Sequence, residues 1–362
     1  MSTIAIDTSS AEKKQRTGVE EYSFQLIERL KELAIVGNNQ LVLFSRATLK
    51  WPFKRFWLQG RVTWELLRRP PNMFFVPAQA LPFFILKKIK VVTTIHDLGF
   101  SRRPDLYPSA EVRKQISATK RAVRRADLIF TPSEFTKQEL IKLFQAKAEK
   151  ITVTPLAADT SRFKIMAREE VEVVIEKYRL GYKNYFLFVS RIDVKKNPLL
   201  AIRAFEEVKN KMGLGDPLRL VFAGPPGYRF EEVREAIKIS SAKDFISGLG
   251  YVPTEDLPAL TAGALALISP SYYEGFGLPL LEAAVSGTPV IAADLPVYRE
   301  VMGEAARFVP LDQPEAWPNA MLEIAKDPNL AADFSAKGLL RAKIFSWPKT
   351  ADQTWTALTK YD

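Results

Sequence analysis

The chain contains no cysteine and a single histidine, His96. Without thiols there are no disulfides and no thiolate-held metals, a composition that fits a reducing cytoplasm. One imidazole cannot supply a cluster of histidine ligands, and no Asp-x-Asp pair of the kind that holds a divalent cation against a diphosphate occurs. Neither GxGxxG nor GxxxxGKS/T is present, so dinucleotide-fingerprint and P-loop binding are both unsupported. No apolar run approaches the about 20 residues of a membrane span. The opening run Ser2 to Asp7 lacks the basic start and long apolar core of a secretory signal.

What is present is ordinary globular material: 362 residues, 47% hydrophobic and 26% charged, enough for two domains with sizeable cores. The net charge of +11 is unevenly spread, with 27 Lys and Arg against 15 Asp and Glu in residues 1–160 and 25 against 26 in residues 161–362. An anionic partner is therefore expected for the first half only. Two segments mix cations with rings suited to lipid headgroups: Trp51-Pro52-Phe53-Lys54-Arg55-Phe56-Trp57 and Phe83-Phe84-Ile85-Leu86-Lys87-Lys88-Ile89-Lys90. They favour contact with an anionic membrane at the inner face over nucleic acid, for which no ordered binding signature appears. The basic run Lys120 to Arg125 reads as a solvated helix face ahead of a strand.

Strand and helix patterns alternate through residues 1–160, beginning with Ile4–Asp7 and a helix from Gly18, and ending with Ile151–Thr154. Periodicity lapses from Pro155 to Lys183, and a second alternating series starts at Tyr185. The expected organisation is α/β throughout: a Rossmann-like first domain over 1–160, a second over 161–345, and residues 346–362 as a terminal helix bent back onto the first by Ser346-Trp347-Pro348. In such sheets ligands bind beyond the carboxyl ends of the strands.

The densest chemical signal is Glu274-Gly275-Phe276-Gly277-Leu278-Pro279-Leu280-Leu281-Glu282. It falls where a strand gives way to a helix, so its glycines turn the chain and leave helix N–H groups to attract an anion. Arg191 and Lys196 follow the strand Tyr185–Ser190. A guanidinium fork and a mobile ammonium suit adjacent phosphates, although two surface cations in a loop would look the same. His96 follows the strand Val91–Ile95, and Gly18 closes the loop after the first strand. On residue chemistry alone a structural histidine and an ordinary turn glycine stay open for both.

Together these pieces resemble the retaining glycosyltransferases of family 4, which have the two-domain GT-B fold. The resemblance rests on Glu274 and Glu282 as a Glu-seven-residues-Glu motif. It is reinforced by Ser190-Arg191-Ile192-Asp193 with Lys196-Asn197, Val221 to Pro225, Gly250-Tyr251-Val252-Pro253, Ser286 to Ala292, and Ile95-His96-Asp97. It implies two Rossmann-like parallel-sheet domains facing a central cleft. The implied reaction is metal-independent transfer of a hexose, with retained configuration and no cofactor, from a nucleotide-diphosphate sugar to a hydroxyl of a glycan or lipid-linked glycan. A mild preference for GDP-mannose over UDP-sugars follows from likeness to bacterial mannosyltransferases. The resemblance assigns Glu274 to the donor sugar, Glu282 to the ribose, Arg191 and Lys196 to the diphosphate, and the backbone of Gly275, Phe276, Gly277 and Leu278 to sugar and phosphate. Val252 would lie by the base, Gly18 by the diphosphate and His96 by the transferred sugar. The charged loop Ala11 to Arg16 departs from the glycine-rich stretch of many relatives and points to acceptor-specific contacts. An inactive sugar-nucleotide-binding scaffold and a GT-B epimerase are the competing readings.

Overall fold

The structure is a computed structural model and describes residues 3–13, 16–36, 40–51 and 56–360. The chain divides into two compact units, one comprising residues 1–104, 109–156 and 346–362, the other residues 105–108 and 157–345. Each is built on a six-stranded sheet in which every pairing is parallel.

The first sheet holds β1 (Thr3–Asp7), β2 (Gln40–Phe44), β3 (Met73–Val76), β4 (Lys90–Thr94), β5 (Leu128–Thr131) and β6 (Ile151–Val153), in spatial order β2-β1-β3-β4-β5-β6. Every residue of β3 and β5 is buried. That is the pattern of strands covered on both faces, and it explains why they read as unbroken apolar runs in the sequence. The helix Gly18–Val36 returns the chain from β1 to β2 and packs against the terminal helix Trp347–Lys360. Trp347 is buried there, its ring 6.2 Å from that of Tyr22, and Thr350 Oγ1 donates to the Pro155 carbonyl. The chain thus re-enters the first unit after Phe345.

The second sheet holds β7 (Tyr185–Val189), β8 (Arg219–Ala223), β9 (Ile246–Gly250), β10 (Ala266–Ser269), β11 (Val290–Ala293) and β12 (Arg307–Val309), ordered β12-β11-β10-β7-β8-β9. From β7 the chain winds outward through β8 and β9, then returns to lay β10 on the other side of β7. The connections leaving β7 and β10 consequently diverge to opposite sides, which opens a crevice at their carboxyl ends. This is the α/β architecture expected from the alternation. Strand limits shift slightly from the sequence reading, as for β4, which runs Lys90–Thr94 where Val91–Ile95 was expected.

Six described helices escaped the alternation pattern: Thr63–Arg68, Gly99–Arg102, Leu257–Gly263, Pro296–Met302, Ala316–Lys326 and Pro328–Ala342. Three of them carry proline at the first or second position. Proline there forfeits only an N–H that has no intrahelical acceptor, so it starts a helix where it reads as a breaker. The run Lys120 to Arg125 is not a simple solvated face, because the Arg125 guanidinium is anchored on the Leu86 carbonyl at 3.0 Å and the Ile89 carbonyl at 2.8 Å. Of the Trp51–Trp57 segment, residues 52–55 lie outside the described residues, as do residues 14–15 of the charged loop. No described helix is long and apolar enough to cross a membrane.

Candidate active site

At the crevice between β7 and β10 the second unit sets a lysine against a glutamate. After β7 the chain turns through Ser190 to Lys196 before the helix Pro198–Met212, whose cap Asn197 sits in the left-handed region at φ 55°. This loop is held by backbone bonds from Ile192 N to Pro225 O at 2.9 Å and from Val194 N to Tyr228 O at 3.2 Å. The approach is closest at Gly224, φ +152°, where an added Cβ would overlap the Ser190 carbonyl oxygen at 1.7 Å. Only glycine fits there.

Following β10, Pro270 to Phe276 lead into the helix Leu278–Val285. Gly277 precedes it at φ +104°, with no side-chain cap, and Pro279 lies in its first turn. The early N–H groups therefore have no side-chain acceptor, as an anion site requires. An added Cβ on Gly277 would meet Tyr298 Cε1 at 2.6 Å, so the turn rests directly on that ring. Phe276 is buried with its ring 5.8 Å from Phe345 in an edge-on contact, which anchors the turn and leaves the segment to act through its backbone.

Lys196 and Glu274 form an ion pair between these two loops, with side chains 19% and 13% exposed. The backbone reinforces it: Tyr272 N donates to Lys195 O at 2.9 Å. Glu274 Oε1 also accepts from Ser271 Oγ at 2.8 Å and from the Tyr298 hydroxyl at 3.3 Å, and Tyr298 in turn lies 2.6 Å from Ser269 Oγ. Burial, with the neighbouring Glu274 carboxylate, pushes the Tyr298 phenol well above its usual range, so it stays a proton donor. Burial also raises the Asp193 carboxyl, against the pull of Lys195 and Lys196. Arg191 is exposed in the same loop, and its guanidinium bonds to no described residue.

The structure thus brings Lys196, Arg191 and Glu274 to one strand-end crevice. Glu282 lies in the second turn of the following helix, half-buried, and Val252 is buried just beyond β9. Gly18 and His96 belong to the first unit. Gly18 opens its helix with nothing within 4 Å of an added Cβ. The His96 ring stacks edge-on against Tyr22 at 4.7 Å, and its Nε2 lies 2.9 Å from the Pro77 carbonyl, which can only accept. Nε2 therefore carries a proton. Burial holds the His96 pKa below its ordinary value, leaving the ring neutral with Nδ1 as an acceptor. Sequence reasoning missed Tyr298, Ser269 and Ser271. The tyrosine lies in an unassigned helix 24 residues beyond Glu274, and nothing in its local pattern signals the contact. Among the described residues no cluster of three or more potential ligands could hold a metal ion.

Two six-stranded parallel sheets in an α/β chain are the framework of the GT-B glycosyltransferases. Residues 36–162 match Glycosyltransferase Family 4 and residues 172–341 match the glycosyl transferases group 1. The O-antigen chain mannosyltransferase B of Escherichia coli is 32% identical over 297 residues, spanning 82% of this chain and 76% of that one. The O-antigen chain mannosyltransferase RfbU of Salmonella typhimurium is 28% identical, spanning 89% of this chain and 91% of the relative. Among solved structures, Anabaena Alr3699/HepE in complex with UDP and glucose superposes with a TM-score of 0.76 at 16% identity, over 99% of this chain and 100% of that one. The chain belongs to the family 4 glycosyltransferases and is an enzyme of glycosyl transfer.

Proposed function

We propose that the enzyme transfers a hexose, with retention and without a metal ion, from a nucleotide-diphosphate sugar to a hydroxyl of a glycan or lipid-linked glycan. The Lys196–Glu274 pair at the strand-order reversal carries this reading, because it puts a phosphate-binding cation and a sugar-binding carboxylate side by side. Arg191 and Lys196 take the diphosphate, Glu274 the sugar, Glu282 the ribose, Val252 the base edge, and the backbone of Gly275 to Leu278 sugar and phosphate. GDP-mannose is the favoured donor, since both relatives described above are mannosyltransferases.

The chemistry balances without an enzymic nucleophile. The acceptor oxygen bonds to the anomeric carbon as that carbon's bond to phosphate oxygen breaks. The electron pair leaves with the nucleoside diphosphate, and the acceptor proton passes to the departing phosphate oxygen. Negative charge grows on the diphosphate, where the two cations and the helix N–H groups stabilise it. A thermal-shift panel of GDP-mannose, UDP-glucose and UDP-N-acetylglucosamine tests the donor. At about 100 times its dissociation constant the true donor raises stability by about 2.7 kcal/mol, and Arg191→Ala abolishes that rise. A flat response to all three rejects the reading.

A peripheral, cytoplasmic-face location on an anionic membrane is part of the same proposal. It is supported by Phe83 and Phe84, 72% and 55% exposed, beside the helix Ser109–Arg125 with its exposed Arg113, Lys120 and Arg124. The Arg121 guanidinium lies 4.0 Å from the Phe83 ring centroid, joining loop and helix into one surface.

A further inference from the structure

Three donors converge on a single oxygen of Glu274. Lys196 Nζ, Ser271 Oγ and the Tyr298 hydroxyl all reach Oε1, while no described residue donates to Oε2. A carboxylate so bound cannot rotate freely, because each donor comes from a different anchor: the loop after β7, the loop after β10 and the helix Pro296–Met302. Tyr298 is the most constrained of the three. It is 1% exposed, its oxygen accepts from Ser269 Oγ at 2.6 Å while donating to Glu274, and its ring lies against Gly277. Ser269 ends β10, so the chain from strand to carboxylate runs Ser269, Tyr298, Glu274 without a solvent-exposed link.

Resting on the assignment of Glu274 to the donor sugar, we infer that Tyr298 is a positioning residue for glycosyl transfer. Its hydroxyl fixes the Glu274 carboxylate with Oε1 spent and Oε2 open to a sugar hydroxyl, and its ring sets the Gly277 turn that receives the diphosphate. One side chain thereby ties the sugar contact to the phosphate contact. Ser271 supplies the second neutral donor. Lys196 is the only one of the three that also has a phosphate to serve, so when it turns to the donor the two hydroxyls are what keep Oε1 occupied. Removing either should loosen the carboxylate in the reacting state more than in the ground state.

Tyr298→Phe tests this, since it keeps the ring under Gly277 and removes only the hydroxyl. Nucleotide release is measured from GDP-mannose, UDP-glucose and UDP-N-acetylglucosamine without added acceptor. For the sugar nucleotide the wild type turns over, kcat is expected to fall about tenfold, the size of one lost hydrogen bond to a charged group. The donor KM should stay within about twofold, and Ser271→Ala should show the same split. An unchanged kcat overturns the inference, as does a fall in kcat that tracks a loss of thermal stability. A crystal structure of Tyr298→Phe with the nucleoside diphosphate bound gives a second readout: with Lys196 drawn to the diphosphate, Glu274 is expected in more than one rotamer, and a single carboxylate position matching the wild-type complex overturns the inference. Undiminished turnover in Glu274→Gln, or no nucleotide release by the wild type from any of the three, would instead refute the donor-site reading on which this rests.

Discussion

Lys196 and Glu274 neutralise each other across the two loops that diverge from adjacent strand ends in the second sheet. Neither would be expected to lie half-buried without the other, because an unpaired charge in that position is poorly solvated. On the proposed reading, the pairing holds the cation within reach of an arriving diphosphate, which limits the reorganisation needed at the moment of reaction. We predict that Lys196→Ala lowers kcat by on the order of 10^2 to 10^3, a loss of roughly 3 to 4 kcal/mol in the barrier. Lys196→Arg should recover little of it, since a planar fork does not fit the compact contact to Oε1. Steady-state assay with the donor found in the thermal panel decides this, and turnover within a few-fold of wild type in Lys196→Ala would remove the lysine from the mechanism.

A second expectation concerns the seam that shapes this loop. Gly224 approaches the Ser190 carbonyl so closely that alanine must displace backbone, not a flexible side chain. Its φ of +152° adds strain for any residue with a Cβ. Gly224→Ala should therefore cost about 3 kcal/mol or more. A urea midpoint lowered by less than the equivalent of about 1 kcal/mol would show that the seam can open, and would be difficult to reconcile with the tight approach.

Much of this was legible in the sequence because the physics is local. A doubly covered parallel strand must be apolar along its length, so Met73–Val76 and Leu128–Thr131 announce themselves. A glycine-rich turn between a strand and a helix marks an uncapped helix start before any coordinate is known, and Gly277 stands at that start. What stayed hidden depends on contacts between distant segments. The Tyr298 hydroxyl meets Glu274 only because β11 lies beside β10, and strand order is not written in either segment. Likewise His96 looks like any histidine at a strand end, and its ring contact with Tyr22 comes from a helix 74 residues earlier. The proline-initiated helices were obscured for a local reason: the residue that begins them is also the one that ends others.

The surface joining Phe83, Phe84 and the helix Ser109–Arg125 makes a third prediction. Flotation with phosphatidylglycerol-containing vesicles should recover the protein, whereas pure phosphatidylcholine vesicles should not. Each cation near such a surface contributes about 1 kcal/mol, so Lys120→Glu with Arg124→Glu should release the protein at physiological salt. Phe83→Ser with Phe84→Ser should weaken binding without altering its salt dependence, because the rings contribute burial and not charge. Equal recovery on neutral and anionic vesicles would refute the electrostatic part. Salt-sensitive binding to RNA without vesicle binding would assign the charge to a different partner.

The last prediction follows from the half-buried imidazole. His96 has a folded pKa below its unfolded value, held down by burial against the weaker opposing pull of Pro77, Asp97 and Glu20. Below pH 6.5 the unfolded chain takes up a proton that the folded protein resists, so stability is lost as pH falls from about 6.5 toward the folded pKa, and is unaffected by this group above it. The slope from one such group is at most about 1.4 kcal/mol per pH unit. His96→Gln keeps a side-chain donor for the Pro77 carbonyl but cannot titrate. It should be less stable than wild type at pH 7.5, through loss of the ring contact with Tyr22, and the gap should narrow steadily as the pH is lowered to 5. Urea denaturation of both proteins across that range measures the gap directly. A constant difference would mean that His96 takes up a proton as readily in the folded protein as in the unfolded chain, and a widening one that it is stabilised as the cation.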